Sequence, residues 1–200
     1  RLLQEFSRQE LEFEQIESIL RKDVSLSYSL LKFINSALFG FRQPIRSLRQ
    51  AMVLLGRKEL SKWGALVALK DIGVDKPGEL ILSSLVRARF AEKLAMQCEG
   101  EICTADAFLL GLFSHLDALL NRPLTEVLSE MPVKEEIKKA FEEEPEGILS
   151  VLYNLMQQYE QGHWQGAASY AQKMQLSEGQ VLLGYREALH WAQDVFTGNY

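Results

Sequence analysis

The sequence predicts an all-α fold. Apolar residues recur with helical period along nearly the whole chain. No segment shows sustained strand alternation, and the glycines Gly40, Gly73, Gly78, Gly100 and Gly162 fall between the periodic segments, as helix terminators do.

Taken in order, Leu30, Leu31, Ile34, Ala37 and Leu38 form the first stripe. Ser47 with Gln50 has the spacing of a capping box and opens the next helix, which Gly56 ends. Leu82, Val86, Phe90 and Leu94 recur every four residues. Thr104 is placed to cap the strongest apolar face, Phe108, Leu109, Leu112, Phe113, Leu116, Leu119 and Leu120. Pro123 and Pro132 stand where first-turn prolines are tolerated. Ile148, Leu149, Leu152, Leu155, Met156 and Tyr159 make a further face. A second capping box, Ser177 with Gln180, precedes the last one, Val181, Tyr185, Leu189, Ala192 and Phe196. The pattern gives roughly ten helices joined by short loops, with no sheet. Turn signals near 75–78 and 142–147 are too short for flexible linkers, so one compact helical domain is expected, with lobes of roughly 1–75 and 76–200.

Composition excludes several classes. The 200 residues, 47% apolar and 24% charged, suit an ordinary globule that needs neither disulfide nor metal for stability. No apolar run has the length of a membrane span, and no signal-peptide pattern opens the chain. Arg1 in place of Met suggests a fragment of a longer protein. Cys98 and Cys103 match no common zinc spacing and read as reduced thiols of a cytoplasmic protein. The net charge of −5 argues against a general nucleic-acid binder. The charge is uneven: residues 42–62 hold six Arg or Lys and one Glu, while residues 126–146 hold eight Glu and three Lys. Such asymmetry either steers a partner or is solvated helix surface.

Several strings carry a family resemblance. Val24-Ser25-Leu26, Ile34-Asn35-Ser36-Ala37, Phe39-Gly40, Ile45, Ser47-Leu48-Arg49-Gln50-Ala51 and Leu54-Leu55-Gly56 resemble the signature of the HDOD domain, a bacterial signalling module related to HD-type metal phosphohydrolases. Each residue also has a local reason: Asn35 can bond nearby backbone at a helix end, and Ser47 caps the helix after it. Farther on, Ala107-Phe108-Leu109-Leu110-Gly111-Leu112-Phe113-Ser114, Leu116-Asp117-Ala118-Leu119-Leu120, Pro123-Leu124, Glu126-Val127-Leu128 and Tyr159-Glu160-Gln161-Gly162-His163-Trp164 resemble the subgroup found behind EAL domains. EAL domains are associated with hydrolysis of cyclic di-GMP. The resemblance implies an HD-like helical bundle and a role in cyclic di-GMP signalling.

The related enzymes need a His, an adjacent His-Asp pair and a distant Asp, because imidazole and carboxylate ligands must converge on a divalent metal that activates water. The resemblance puts Ser114-His115 where the pair would stand and Ser83 near the upstream His. Asp117 is two residues past His115, and on one helix such residues point apart. His163 and His190 read as structural or surface histidines. No phosphate-cradling glycine loop is present. The expectation is a domain without catalytic residues, metal or cofactor.

What remains is the basic block. Phe39, Phe41, Arg42, Arg46, Arg49, Arg57, Lys58 and Lys62 form a candidate binding surface, with the aromatics as partner anchors or core wedges. The expected partner is a protein or an attached signalling domain, with a homodimer left open. The alternatives are a residual HD-type phosphohydrolase and a nucleic-acid-binding module.

Overall fold

The computed structural model describes residues 13–36, 39–73, 75–98, 102–131, 133–142 and 146–197. Among them lie eleven α-helices and no strand, so the fold is all-α as expected, with one helix more than the rough count of ten. In order these are α1 (Phe13–Lys22), α2 (Val24–Ile34), α3 (Leu48–Ile72), α4 (Gly78–Ala95), α5 (Thr104–Phe113), α6 (Leu116–Leu120), α7 (Leu124–Glu130), α8 (Glu135–Lys139), α9 (Ile148–Glu160), α10 (Trp164–Lys173) and α11 (Glu178–Thr197). Among the described residues no helix is long and apolar enough to cross a membrane.

Burial of the apolar stripes produces two clusters. Ile16, Leu20, Leu30, Phe33, Ile34, Met52 and Leu55 join α1, α2 and the first part of α3. Phe90, Leu94, Phe108, Leu112, Leu152, Leu155 and Ala188 join α4, α5, α9 and α11. Helix α3 serves both: Leu60 and Trp63 belong to the first cluster, Ala65 and Leu69 to the second. Gly56, at φ 65° and ψ 179°, is non-helical and divides α3 into two consecutive helical runs across a kink. Only glycine takes that backbone conformation without strain. Gly56 therefore ends the first helical run, as expected, and a second run follows directly across the kink.

The predicted caps divide. Ser47 Oγ accepts from Gln50 N at 3.4 Å. In the second box Ser177 Oγ accepts from Gln180 N at 3.3 Å while Gln180 Oε1 accepts from Ser177 N at 2.8 Å. Thr104 is not a cap: it is the first residue of α5, and Cys103 precedes it with no side-chain cap bond. Pro123 occupies the cap position of α7 rather than its first turn, while Pro132, Gly100, Ala37 and Leu38 lie outside the described residues. Gly78 opens α4 instead of separating helices.

Asn35 holds the loop between α2 and α3. Its amide nitrogen donates to the Leu31 and Ile45 carbonyls, each at 2.8 Å, and its Oδ1 accepts from Ile45 N at 2.7 Å. One side chain thus closes a helix end and pins a segment ten residues away.

A close approach of two helices positions the site. Gly111 of α5 lies directly on the α4 backbone, where a Cβ would fall 2.3 Å from the Arg87 carbonyl oxygen. No larger residue fits there without moving a main chain. This contact brings the end of α5 over the Ser83–Arg87 turn of α4.

Candidate functional site

Ser83 and Arg87 are four residues apart on α4 and share a face. At the end of α5 the Ser114 hydroxyl donates to the Gly111 carbonyl at 2.7 Å and accepts from Arg87 Nη1 at 3.1 Å. The chain turns at Ser114-His115 before α6 begins, and His115 lies at φ −120°, ψ 14°. The imidazole thereby reaches across to α4, where His115 Nε2 and Ser83 Oγ share a hydrogen bond of 2.9 Å. Helix α9 closes the remaining side. Glu160 Oε2 accepts from Arg87 Nε at 2.8 Å and pairs with Nη2 at 2.6 Å, the two side chains being 13% and 18% exposed. Tyr153 Oη accepts from Gln157 Nε2 at 2.7 Å on the same helix.

Electrostatics follow from this packing. Burial, reinforced by the Arg87 guanidinium and opposed by Asp117, pulls the His115 pKa from its usual 6.5 down to about 4. The ring is neutral at neutral pH. Burial also raises the Tyr153 hydroxyl, which Arg87 opposes and the carboxylates of Asp117 and Glu160 support. Where the enzymes concentrate anionic ligands, this centre holds a guanidinium cation clamped by one carboxylate.

The expected ligand positions therefore meet in space: Ser83, Ser114 and His115 surround Arg87. Asp117 does not join them. The sequence reading placed it on one helix with His115. The chain instead breaks before α6, and the Asp117 residue is exposed in the first turn of that helix. Among the described residues no three His, Cys, Asp or Glu side chains come together as a metal site. A serine beside an imidazole also raises acyl chemistry. That requires a third group orienting the base, and among the described residues no carboxylate hydrogen-bonds the other ring nitrogen of His115. An imidazole held near 4 is moreover a weak base at neutral pH. His163 and His190 are exposed, and Cys98 and Cys103 are half-buried, the Cys98 thiol donating to the Leu94 carbonyl at 3.4 Å.

The basic block divides between surface and core. Arg42, Arg46, Arg49, Arg57 and Lys58 are exposed. Lys62 does not belong to that surface. It is 5% exposed, bonds Glu59 at 2.5 Å and pairs with Glu92, itself 1% exposed, which also takes Arg89. Its stem is buried because it faces α4 across the junction of the two clusters. Phe39 is half-buried, edge-on to Phe33 at 5.2 Å, and Phe41 stacks outside it at 6.4 Å. Phe39 is a wedge and Phe41 the exposed ring.

Sequence reasoning missed Arg87, Glu160 and Glu92. Arg87 had a signal: it is one turn from Ser83, in a helix otherwise read from its apolar stripe.

The chain matches the HDOD domain family over residues 1–165. The chain belongs to that family. The cyclic di-GMP phosphodiesterase CdgJ of Vibrio cholerae is 32% identical over 194 residues, which cover 97% of this HDOD chain and 45% of that protein. The uncharacterized protein YuxH of Bacillus subtilis is 32% identical over 197 residues, 97% of this chain and 47% of that protein. The chain thus spans about half the length of the curated relatives it matches. No solved structure matches it.

Proposed function

We propose that this HDOD domain is a non-catalytic signalling module that acts by protein–protein contact and regulates an attached EAL domain of cyclic di-GMP turnover. One observation carries the non-catalytic part: Arg87, clamped by Glu160 and Ser114, fills the place on which the expected ligand positions converge. A fixed cation there repels a divalent ion, and Ser83 and Ser114 supply hydroxyls where imidazoles would be needed. The regulatory part is supported by the name of CdgJ and by the share of that protein which the chain leaves uncovered. Regulation of this kind requires the domain to bind two states of its neighbour unequally. A cytoplasmic location accords with the messenger.

The test compares three proteins for cyclic di-GMP hydrolysis: the longer protein, the longer protein lacking this segment, and this chain alone with Mg²⁺ or Mn²⁺. The reading expects no turnover by the chain alone, and a several-fold rate change when the segment is removed. Turnover by the chain alone that disappears in His115→Ala would establish a residual phosphohydrolase instead.

A further inference from the structure

We propose that the outward face of the first half of α3, with the loop before it, docks an acidic protein segment that carries apolar anchors. The inference rests on the reading of the domain as a binding module and deepens it by naming the face and the partner chemistry.

Charge is the first observation. Residues 24–58 contain six Lys or Arg and no Asp or Glu, in a chain of net charge −5. Arg46, Arg49 and Lys58 are exposed. An excess of cations over acids in this stretch favours an acidic partner.

The second observation is apolar exposure at the same place. Ala51, Met52 and Leu55 are buried, yet Val53 and Leu54 between them are 64% and 46% exposed. The start of α3 is thus apolar on two sides, one toward the core and one toward solvent. Arg49 stands one turn before Val53 on the same face. Phe41 adds an exposed ring, fixed through Phe39 to Phe33 of the core, and the Asn35 bonds to Ile45 hold the loop between them. Arginine, an aromatic ring and aliphatic side chains on a rigid support are the composition of an interface centre.

The partner class follows from the combination. Val53 and Leu54 have no hydrogen bond to give a phosphate backbone, and the negative chain as a whole is repelled by an extended polyanion. A short acidic segment places its charge only where the cations are, and its own apolar residues desolvate Val53 and Leu54. An amphipathic acidic helix meets both requirements.

The probe is a fluorescein-labelled peptide of about 18 residues with glutamates on one helical face and leucines on the other, beside a scrambled peptide of equal composition. Fluorescence anisotropy is read against the 200-residue chain. The peptide is expected to bind, to weaken by ~10-fold between about 50 and about 300 mM NaCl, and to lose ~10-fold again in V53S/L54S and in R46E/R49E, with the scrambled peptide weaker in every case. Both variants alter exposed residues, and unchanged thermal melts show that they fold. Equal binding of the scrambled peptide or of the variants overturns the proposal. So does preferential capture of anionic vesicles or duplex DNA through Val53 and Leu54, or self-association that V53S/L54S abolishes. In the longer protein, hydrolysis that responds to removal of this segment but not to V53S/L54S would leave regulation standing and this face refuted.

Discussion

Ser83 Oγ and His115 Nε2 stand 2.9 Å apart, joining residues that are 32 positions distant in the chain. Resemblance to the HD enzymes assigns both to ligand positions, and the α4–α5 contact brings them together. The scaffold keeps the convergence, while its content is a neutral imidazole, two hydroxyls and a clamped arginine.

The first consequence concerns pH. His115 titrates at about 4 when folded and near 6.5 when unfolded. The unfolded chain therefore takes up a proton in that interval which the folded chain refuses. The contribution to stability is fully present above about pH 6.5 and is lost as pH falls toward about 4. Urea midpoints measured between about pH 7.5 and 4.5 should fall less steeply in His115→Asn than in the wild type. Identical slopes would show that the ring is not held neutral.

Arg87 has two roles that one variant separates. In Arg87→Gln, Glu160 loses its charged partner and Ser114 a donor, so stability should fall by ~1–3 kcal/mol for this partly buried group. Because Arg87 also depresses the imidazole, the His115 pKa should rise, as read by NMR titration. Lost stability with an unmoved His115 pKa would mean that the guanidinium only packs.

Much of this architecture was legible in the sequence, because local chemistry writes it. Ser47 caps its helix and the full capping box forms at Ser177, as spaced, and Asn35 bonds backbone at its helix end. Tertiary contact wrote the rest. The Arg87–Glu160 pair spans 73 positions and Lys62–Glu92 spans 30, so neither leaves a spacing to read. The run Ala51-Met52-Val53-Leu54-Leu55 is wholly apolar and carries no phase, which hid the exposure of its middle pair. Thr104 looked like a cap because residue type alone does not tell Ncap from the first helical position.

Glu92 is the hub of the buried ion network, accepting from both Lys62 and Arg89. Glu92→Gln takes the buried carboxylate from both cations, leaving Lys62 only the half-buried Glu59, and should cost ~3–5 kcal/mol. Lys62→Met leaves Glu92 paired with Arg89 and should cost less. Thermal or urea unfolding gives the order, and a reversed order would move the hub to Lys62.

Two glycines should respond oppositely. A Cβ at Gly111 meets α4 backbone at 2.3 Å, so Gly111→Ala should destabilise by ~3 kcal/mol or more. A Cβ at Gly184 of α11 finds only side-chain atoms at 3.6 Å or beyond, so Gly184→Ala should be neutral or stabilising by up to ~1 kcal/mol. Similar unfolding midpoints for the two variants would contradict the close α4–α5 approach.

The central claim is that Arg87 fills the centre where the related enzymes hold their metal. The direct measurement is the metal content of the purified chain after equilibration with Mn²⁺ and desalting, by mass spectrometry, beside His115→Ala. The account predicts far less than one equivalent in both. One equivalent retained by the wild type and lost in His115→Ala would contradict it.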